Sequence, residues 1–205
     1  MSTISQQFLE HLEKDFVCLH PTDTIPGIGF NPLKTKGHQG IIDIKQRNPN
    51  KPFIGFVGSL DRALSCWTPL PGKWNKVLEK LWPCSMSVVW KASTNAPSSL
   101  VFEDNTIAIR CPKFKEEFSW MQEVLNSIDY PLPSTSVNRT AEYPCVSWDE
   151  ALNFLQGIPN VFIPNTSINI DNFQSSTLIK ILEDGSFSMI REGPVSKTTI
   201  LEALE

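Results

Sequence analysis

Short apolar segments alternate with amphipathic helical segments along most of this chain, and this alternation limits the folds that it can adopt. Runs such as Phe16–Leu19 and Phe53–Val57 are apolar on both faces, as expected of buried strands. Between them, Lys36–Lys45 carries isoleucines at helical spacing. Strands that alternate with helices predict an α/β layer fold with a mixed sheet.

The same patterns give bounds for the other elements. Ser147 begins Ser-x-x-Glu, which predicts a capping box with Glu150. Thr22–Phe30 and the polar, proline-interrupted Arg47–Pro52 are predicted as loops, the second of them exposed. The remaining predicted helices are Ser5–Glu13, Asp61–Cys66, Gly72–Leu81, Phe114–Ser127 and Ser147–Leu155, and the remaining predicted strands are Ser87–Trp90, Thr106–Arg110, Leu132–Ser136, Val161–Ile163 and Thr177–Leu182.

Length and composition narrow the class of protein. A chain of 205 residues, 40% of them hydrophobic, suits one α/β domain over residues 1–205. The net charge of −4 argues against a protein that coats a nucleic-acid backbone. The N-terminal residues lack the apolar core of a signal peptide, and no run reaches the roughly 18 apolar residues of a membrane helix. The five cysteines are scattered, without a zinc or disulfide pattern, so we expect a cytoplasmic protein without membrane association.

Common catalytic motifs are missing from the sequence, which has no G-x-x-x-x-G-K-[ST] phosphate loop, no H-E-x-x-H and no G-x-S-x-G. His20, at the end of a predicted strand, is predicted to be a structural hydrogen-bonding residue rather than a catalytic base. Hydroxyl, amide and cationic side chains instead cluster near strand ends, where open α/β sheets bind ligands beyond the carboxyl ends of the strands. Because arginine and lysine bind phosphate or carboxylate, these clusters indicate an anionic ligand.

Each cluster also has a purely structural interpretation. Thr22 to Thr24 could form a hydrogen-bonded turn, and Lys45 with Arg47 could be a solvated helix end. Arg110 ends an apolar strand, where a charged side chain requires a partner. The residues alone therefore predict an α/β protein with an anionic-ligand site and leave the ligand open.

Six segments carry a more specific signal through their order along the chain. Pro21–Gly29 reads PTDTIPGIG and Ile44–Pro52 reads IKQRNPNKP, and they are followed by Leu81–Pro83, Thr106–Pro112, Ser134–Asn138, and Ser176–Thr177 with Arg191–Gly193. In this order they resemble six elements of the YrdC-like threonylcarbamoyl-AMP synthase family. Those elements are P-T-[ED]-T-x-Y-G-L-G, I-K-x-R-x-x-x-K-P, W-P, T-V-x-V-R-x-P, S-x-S-A-N, and S-T with R-x-G. The resemblance implies a twisted, open α/β sheet flanked by helices around a large concave cavity.

The resemblance also implies roles for individual residues. Thr24 and Arg110 match positions that bind L-threonine. The residues matched to ATP and its Mg²⁺-bound phosphates are a catalytic tetrad of Lys45, Arg47, Ser136 and Asn138, and further nucleotide contacts at Lys51, Thr106, Ser134, Ser176 and Arg191.

The chain departs from the family pattern at several positions. Pro26 replaces the usual tyrosine, and Phe56 stands where many members have a histidine near the threonine. Cys84–Ser87 replaces G-P-L-T, and the segment after Asn138 is one residue longer than usual. Pro26 and Phe56 bear on the amino-acid pocket more than on the nucleotide site.

The implied reaction joins L-threonine, bicarbonate or CO₂ and ATP into threonylcarbamoyl adenylate, which a separate tRNA-modifying transferase complex would consume. Such an enzyme needs at most weak direct tRNA binding. Three alternatives stay open: a non-catalytic RNA-binding member of the same fold, a related carbamoyl-handling enzyme with another acceptor, and an unrelated nucleotide-binding regulator.

Overall fold

The structure, a computed structural model, describes residues 2–49, 51, 53–166, 168 and 174–205, in which nine short strands form one mixed sheet. The strands are β1 Val17–His20, β2 Gly27–Gly29, β3 Ile54–Phe56, β4 Met86–Lys91, β5 Thr106–Arg110, β6 Leu132–Ser136, β7 Val161–Phe162, β8 Thr177–Ile181 and β9 Phe187–Arg191. Their order is β7-β1-β2-β6-β3-β5-β4-β8-β9. The β1–β7, β3–β5 and β4–β8 pairs are parallel, and the other neighbouring pairs are antiparallel.

Helices flank this sheet. α1 begins at a capping box between Thr3 and Gln6 and buries Phe8 and Leu12. None of the helices in the described residues is long and apolar enough to cross a membrane. The helices are α1 Ile4–Glu13, α2 Lys36–Lys45, α3 Leu60–Cys66, α4 Trp74–Leu81, α5 Ser119–Ser127, α6 Trp148–Leu155 and α7 Lys197–Leu204.

The two faces of the sheet contribute to different apolar clusters, because successive side chains of a strand point to opposite faces. Val17 and Leu19 of β1 belong to the larger cluster, which also contains Ile41 and Ile44 of α2. Cys18, between them, belongs to the smaller cluster with Phe8 of α1 and Trp120 of α5. α1 and α5 therefore cover part of this second face.

Several predicted elements have the predicted bounds. Lys36–Lys45, Thr106–Arg110 and Leu132–Ser136 coincide with α2, β5 and β6. The mixed sheet is also confirmed. At Lys36–Lys45 and Thr106–Arg110 the apolar spacing and the tertiary packing favour the same structure, so the local pattern is sufficient.

Two predicted loops need correction. Gly27–Gly29, within the segment predicted as a loop, is the buried strand β2. Its two glycines hide the strand pattern, since they contribute no side chains to it. Arg47, within the segment predicted to be exposed, is only 7% exposed. Residues 50 and 52 of that segment lie outside the described residues.

Other elements differ in detail from the prediction. The helix predicted from Phe114 instead begins with a 3₁₀ turn at Glu116–Phe118. Ser147 caps α6 by accepting from the Glu150 N–H, but the Glu150 carboxylate accepts from the Val146 N–H, so the predicted reciprocal box does not form. The sequence did not predict β9 and α7, both of which are largely exposed and lack a clear apolar pattern.

Candidate functional site

A pocket of about 370 Å³ lies over one face of the sheet. Alternate residues of three neighbouring strands form its floor, because they point to the same face. These residues are Ile54 and Phe56 of β3, Ala108 and Arg110 of β5, and Ser134 and Ser136 of β6.

The polar groups of the pocket lie at its two ends. Ser134 and Ala108 both pair with Ile54, and β5 and β6 run in opposite directions. Ser136 therefore lies two residues beyond this row on one side and Arg110 two residues beyond it on the other, roughly 13 Å apart along the strands. The expectation that all clusters meet beyond the carboxyl ends of the strands is wrong, because antiparallel neighbours place those ends at opposite edges.

The end of the pocket near Ser136 carries three cationic side chains, Lys45, Arg47 and Lys51. α2 ends at Lys45, and Gln46 takes a left-handed conformation with φ of 47°. The chain turns there, so the side chains on both sides of Gln46 reach the pocket. Such a cluster favours an anionic ligand.

Electrostatics within this cluster oppose the protonated state. Burial, followed by repulsion from Arg47 and Lys51, lowers the pKa of Lys45 to about 8. Burial also lowers the pKa of Arg47 to about 10. An anion bound among these groups would relieve the repulsion and stabilise their charged forms.

Hydrogen bonds fix the polar groups around Lys45. Its ammonium group donates to the Ser136 and Asn138 carbonyl oxygens and, at 2.9 Å, to Asn138 Oδ1. The Ser136 hydroxyl donates to the same Oδ1 at 2.6 Å. An ammonium group has three N–H donors. Lys45 therefore acts on a ligand through its charge and through its hold on Asn138.

The opposite end of the pocket is organised by Arg110, which is 3% exposed. Its guanidinium pairs with the Asp23 carboxylate and donates to Thr24 Oγ1 at 3.3 Å. The Thr22 hydroxyl donates to the Ile25 carbonyl oxygen at 2.8 Å and lies 3.0 Å from Thr24 Oγ1. The loop between β1 and β2 is thus held against β5 by a continuous set of hydrogen bonds.

Two further predicted residues lie beside this end. Arg191 donates through Nε to the Ser176 carbonyl oxygen at 2.9 Å and through its terminal nitrogen to the Ser176 hydroxyl at 3.1 Å. The Ser176 hydroxyl also lies 3.1 Å from that of Ser87. The fixed Ser176 hydroxyl and the Arg191 charge line the pocket together.

The structure brings together all but one of the site residues predicted from the sequence. Lys45, Arg47, Lys51, Ser134, Ser136, Asn138, Thr24, Arg110, Ser176 and Arg191 line the pocket. The lining does not include Thr106, whose hydroxyl donates to Asp104 Oδ1 at 2.6 Å. Pro26 and Phe56, the two departures from the family pattern, also line the pocket.

The sequence did not predict that Asp23 would help to position Arg110. Its carboxylate pairs with the Arg110 guanidinium and accepts a hydrogen bond from the Ser85 hydroxyl at 2.7 Å. The signals in the sequence were the position of Asp23 between Thr22 and Thr24 and its match to the acidic position of the P-T-[ED]-T element. Both ring nitrogens of His20 have partners within the protein, as predicted for a hydrogen-bonding residue.

The pocket offers little to a divalent cation by itself. Within the described part of the chain, its lining includes no Asp or Glu, and no group of three or more His, Cys, Asp or Glu side chains could hold a metal. Mg²⁺ prefers oxygen ligands, including substrate phosphates and water. The residues present fit a magnesium ion only together with bound phosphates, which the Ser136 hydroxyl could help to hold.

Comparison with known proteins identifies the relatives of this chain. The family model named for Sua5, YciO and YrdC, and described as "Telomere recombination", matches residues 10–193. This chain belongs to the Sua5/YciO/YrdC family. Its curated relatives include threonylcarbamoyl-AMP synthase of Vibrio campbellii, which is 26% identical over 151 residues, or 71% of this chain and 77% of the relative.

Solved structures of this family share the fold. Sua5 of P. abyssi complexed with L-threonine superposes with a TM-score of 0.83 at 19% identity, covering 98% of this chain and 56% of that chain. YciO of E. coli has a TM-score of 0.78 at 21% identity, covering 96% of this chain and 92% of that chain. The predicted twisted, mixed α/β sheet of the YrdC-like type is therefore confirmed.

Proposed function

We propose that this chain is an L-threonylcarbamoyladenylate synthase, a nucleotidyltransferase that forms threonylcarbamoyl-AMP and pyrophosphate from L-threonine, bicarbonate or CO₂, and ATP. One observation carries the proposal: a single pocket holds a cationic cluster at one end and the buried Arg110 with Thr24 at the other. This arrangement suits a triphosphate and an amino-acid carboxylate that must react with each other. Membership of the family and curated relatives named threonylcarbamoyl-AMP synthase support it.

The reaction needs no nucleophile from the protein. The neutral amine of threonine adds to CO₂ and loses a proton, which gives a carbamate. A carbamate oxygen then forms a bond to the α-phosphorus of ATP, and the bond from that phosphorus to the pyrophosphate oxygen breaks. Starting from bicarbonate, one water is also released. Catalysis of this kind depends on positioning and on charge stabilisation.

The cationic end of the pocket would bind the phosphates. Lys45, Arg47 and Lys51 would offset charge on the triphosphate and on the departing pyrophosphate. Ser136 and Asn138 would orient the nucleotide, since both side chains are fixed by hydrogen bonds. Mg²⁺ would arrive on the phosphates and supply further neutralisation of their charge.

The Arg110 end would bind threonine. Nε of Arg110 is buried and has no hydrogen-bond partner among the described residues, so it can donate to a substrate carboxylate while Asp23 keeps its contact. Thr24 lies against the same guanidinium and would contact the polar groups of threonine. Ser134 lies between the two ends, and Ser176 and Arg191 lie beside the Arg110 end. All three line the pocket and would contact the nucleotide.

The cellular setting belongs to the same proposal. The adenylate would pass to a separate transferase complex that completes threonylcarbamoyladenosine on tRNA. This chain would then act in the cytoplasm, and tRNA would not be its own substrate.

The decisive test is pyrophosphate release from ATP by the purified chain. We expect L-threonine with bicarbonate to stimulate release, and serine, valine and alanine to stimulate it less, because each analogue leaves a substrate contact unmade. Equal stimulation by all four would favour a carbamoyl-handling enzyme with another acceptor. No turnover with any of them would contradict the synthase.

A matched pair of variants tests the cationic cluster. Replacing Arg47 with Ala should lower the rate by roughly two to three orders of magnitude, the usual loss for one charge-stabilising group. Lys76→Ala removes an exposed cation of α4 and should leave the rate near that of the wild type. A near-normal rate in folded Arg47→Ala would remove this residue from the site.

A further inference from the structure

His20 lies beneath the pocket, fully buried at the end of β1. Its Nδ1 lies 3.0 Å from the Pro21 carbonyl oxygen, and its Nε2 lies 3.2 Å from Ser134 Oγ. Ser134 lines the pocket, whereas His20 does not. The ring therefore makes a hydrogen bond with the pocket lining through the Ser134 hydroxyl, and it also packs edge-on against the Phe56 ring, with 5.7 Å between the ring centres.

The ring can reach Ser134 because the strand between them carries glycines. His20 pairs with Gly27 of β2, and Gly29 of β2 pairs with Ser134 of β6. A Cβ atom at Gly27 would lie 2.7 Å from His20 Cε1 and 3.0 Å from Ser134 Oγ. Only glycine leaves room for the histidine ring to cross β2, so the fold places this contact specifically.

The hydrogen-bond partners determine which atoms carry protons. A carbonyl oxygen only accepts, so Nδ1 must carry the hydrogen that is donated to Pro21. Burial lowers the pKa of His20 to about 4, so the ring is neutral at pH 7 and Nε2 has a lone pair. The Ser134 hydroxyl must then donate its hydrogen to Nε2. Its oxygen can only accept from a group in the pocket.

We propose that His20 is a positioning residue that turns the Ser134 hydroxyl into a hydrogen-bond acceptor toward the pocket. Ser134 then selects a donor on the ligand, such as an amino or hydroxyl group, and disfavours a carboxylate or phosphate oxygen at this point. The assignment of that donor to threonine or to the ATP ribose rests on the proposed function. An acceptor at Ser134 would also keep anionic groups of the ligand at the two cationic ends of the pocket.

The tautomer can be measured directly on the wild-type chain. Nitrogen chemical shifts of ¹⁵N-histidine-labelled protein at pH 7 should show His20 neutral, protonated at Nδ1 and unprotonated at Nε2. The chain has three histidines, and the signals missing from His20→Gln assign the resonances of this ring. A ring protonated at Nε2, or a charged ring, would overturn the proposal. This result does not depend on activity, so it stands apart from the test of the synthase.

Kinetics test the consequence for the ligand. His20→Leu removes the acceptor, and kcat/KM should fall roughly tenfold, mainly through the KM of threonine or ATP, as expected for one lost buried hydrogen bond. His20→Gln offers an amide oxygen near the Nε2 position and should recover most of this loss. Thermal unfolding verifies that both variants fold.

A double-mutant cycle separates positioning from a merely structural effect. In a Ser134→Ala background, His20→Leu should change kcat/KM by less than about twofold, because the hydroxyl that it orients is gone. An equal loss in both backgrounds would overturn the proposal, as would a Gln variant that is as impaired as the Leu variant.

Discussion

Two buried bases near the pocket have opposite charge states at neutral pH, although burial lowers the pKa of both. The pKa of His20 falls to about 4, so its ring is neutral, whereas the pKa of Lys45 falls to about 8, so its ammonium group stays largely charged. The difference follows from their ordinary values, since an ammonium group starts about four units above an imidazole. His20 can therefore accept a hydrogen bond, while Lys45 can attract an anion.

The lowered pKa of Lys45 predicts pH-dependent nucleotide binding. As the pH rises through about 8, free Lys45 loses its proton and its attraction for phosphate. The affinity for a non-hydrolysable ATP analogue, measured by calorimetry without threonine, should fall by roughly tenfold between pH 7 and pH 9, in keeping with the loss of one charged hydrogen-bonding group. Arg47, with a pKa of about 10, stays mostly charged over this interval.

Lys45→Met provides the control for this dependence. The variant keeps the length of the side chain and lacks the charge, so its binding should be weaker at pH 7 and should change little across the same interval. A wild-type affinity that is constant to pH 9 would contradict the link to Lys45.

At the scale of single elements, the end of α2 determines the cationic end of the pocket. Gln46 is an exposed residue with φ of 47°, a region that costs residues other than glycine free energy. The turn at Gln46 directs the chain away from the helix axis at Arg47. The Arg47 side chain donates to the Thr135 hydroxyl, and its Cζ atom lies 4.3 Å from the centre of the Phe53 ring. A costly conformation at this point is part of how the site is built.

This conformation predicts opposite effects of two glycine substitutions in the same helix. Gln46→Gly should raise the free energy of unfolding by about 0.5–1 kcal/mol, because glycine takes positive φ without a steric penalty. Gln39→Gly, at an exposed position inside α2, should lower it by about 1 kcal/mol. Urea unfolding with unchanged m-values measures both, and a destabilised Gln46→Gly would contradict the assigned conformation.

At the scale of the whole molecule, antiparallel pairing within a mixed sheet decides where the pocket lies. β5 and β6 are separated by β3 and run in opposite directions, so their carboxyl ends lie at opposite edges. The pocket spans the sheet between them, with a cationic cluster near one edge and Arg110 near the other. These local charges lie within a chain whose net charge is −4.

That charge balance predicts weak binding of tRNA. At physiological salt, the dissociation constant should exceed roughly 10 μM, and it should rise steeply with salt concentration, as for contacts to phosphates alone. Fluorescence anisotropy with tRNA and with a structured RNA of equal length should show no discrimination, and threonine-dependent pyrophosphate release should need no RNA. Tight, salt-resistant binding of tRNA without ATP turnover would instead establish an RNA-binding protein.

Much of the fold and of the candidate site could be predicted because local patterns and motifs are continuous in the sequence. The spacing of isoleucines gives α2, and the apolar run Ile107–Ile109 gives β5. The predicted site residues from Thr24 to Arg191, with the exception of Thr106, line one pocket. These features depend on neighbouring residues or on their order along the chain.

The tertiary structure alone decided the contacts between distant segments. Gly27–Gly29 forms a strand because β1 and β6 supply hydrogen-bond partners on both sides, which its own composition does not predict. Asp23 pairs with Arg110 and His20 crosses β2 to reach Ser134, contacts that join residues far apart in sequence. Sequence determines which groups are available, but burial and distance in the fold decide their protonation states and partners, because both depend on atoms that the chain brings together only when folded.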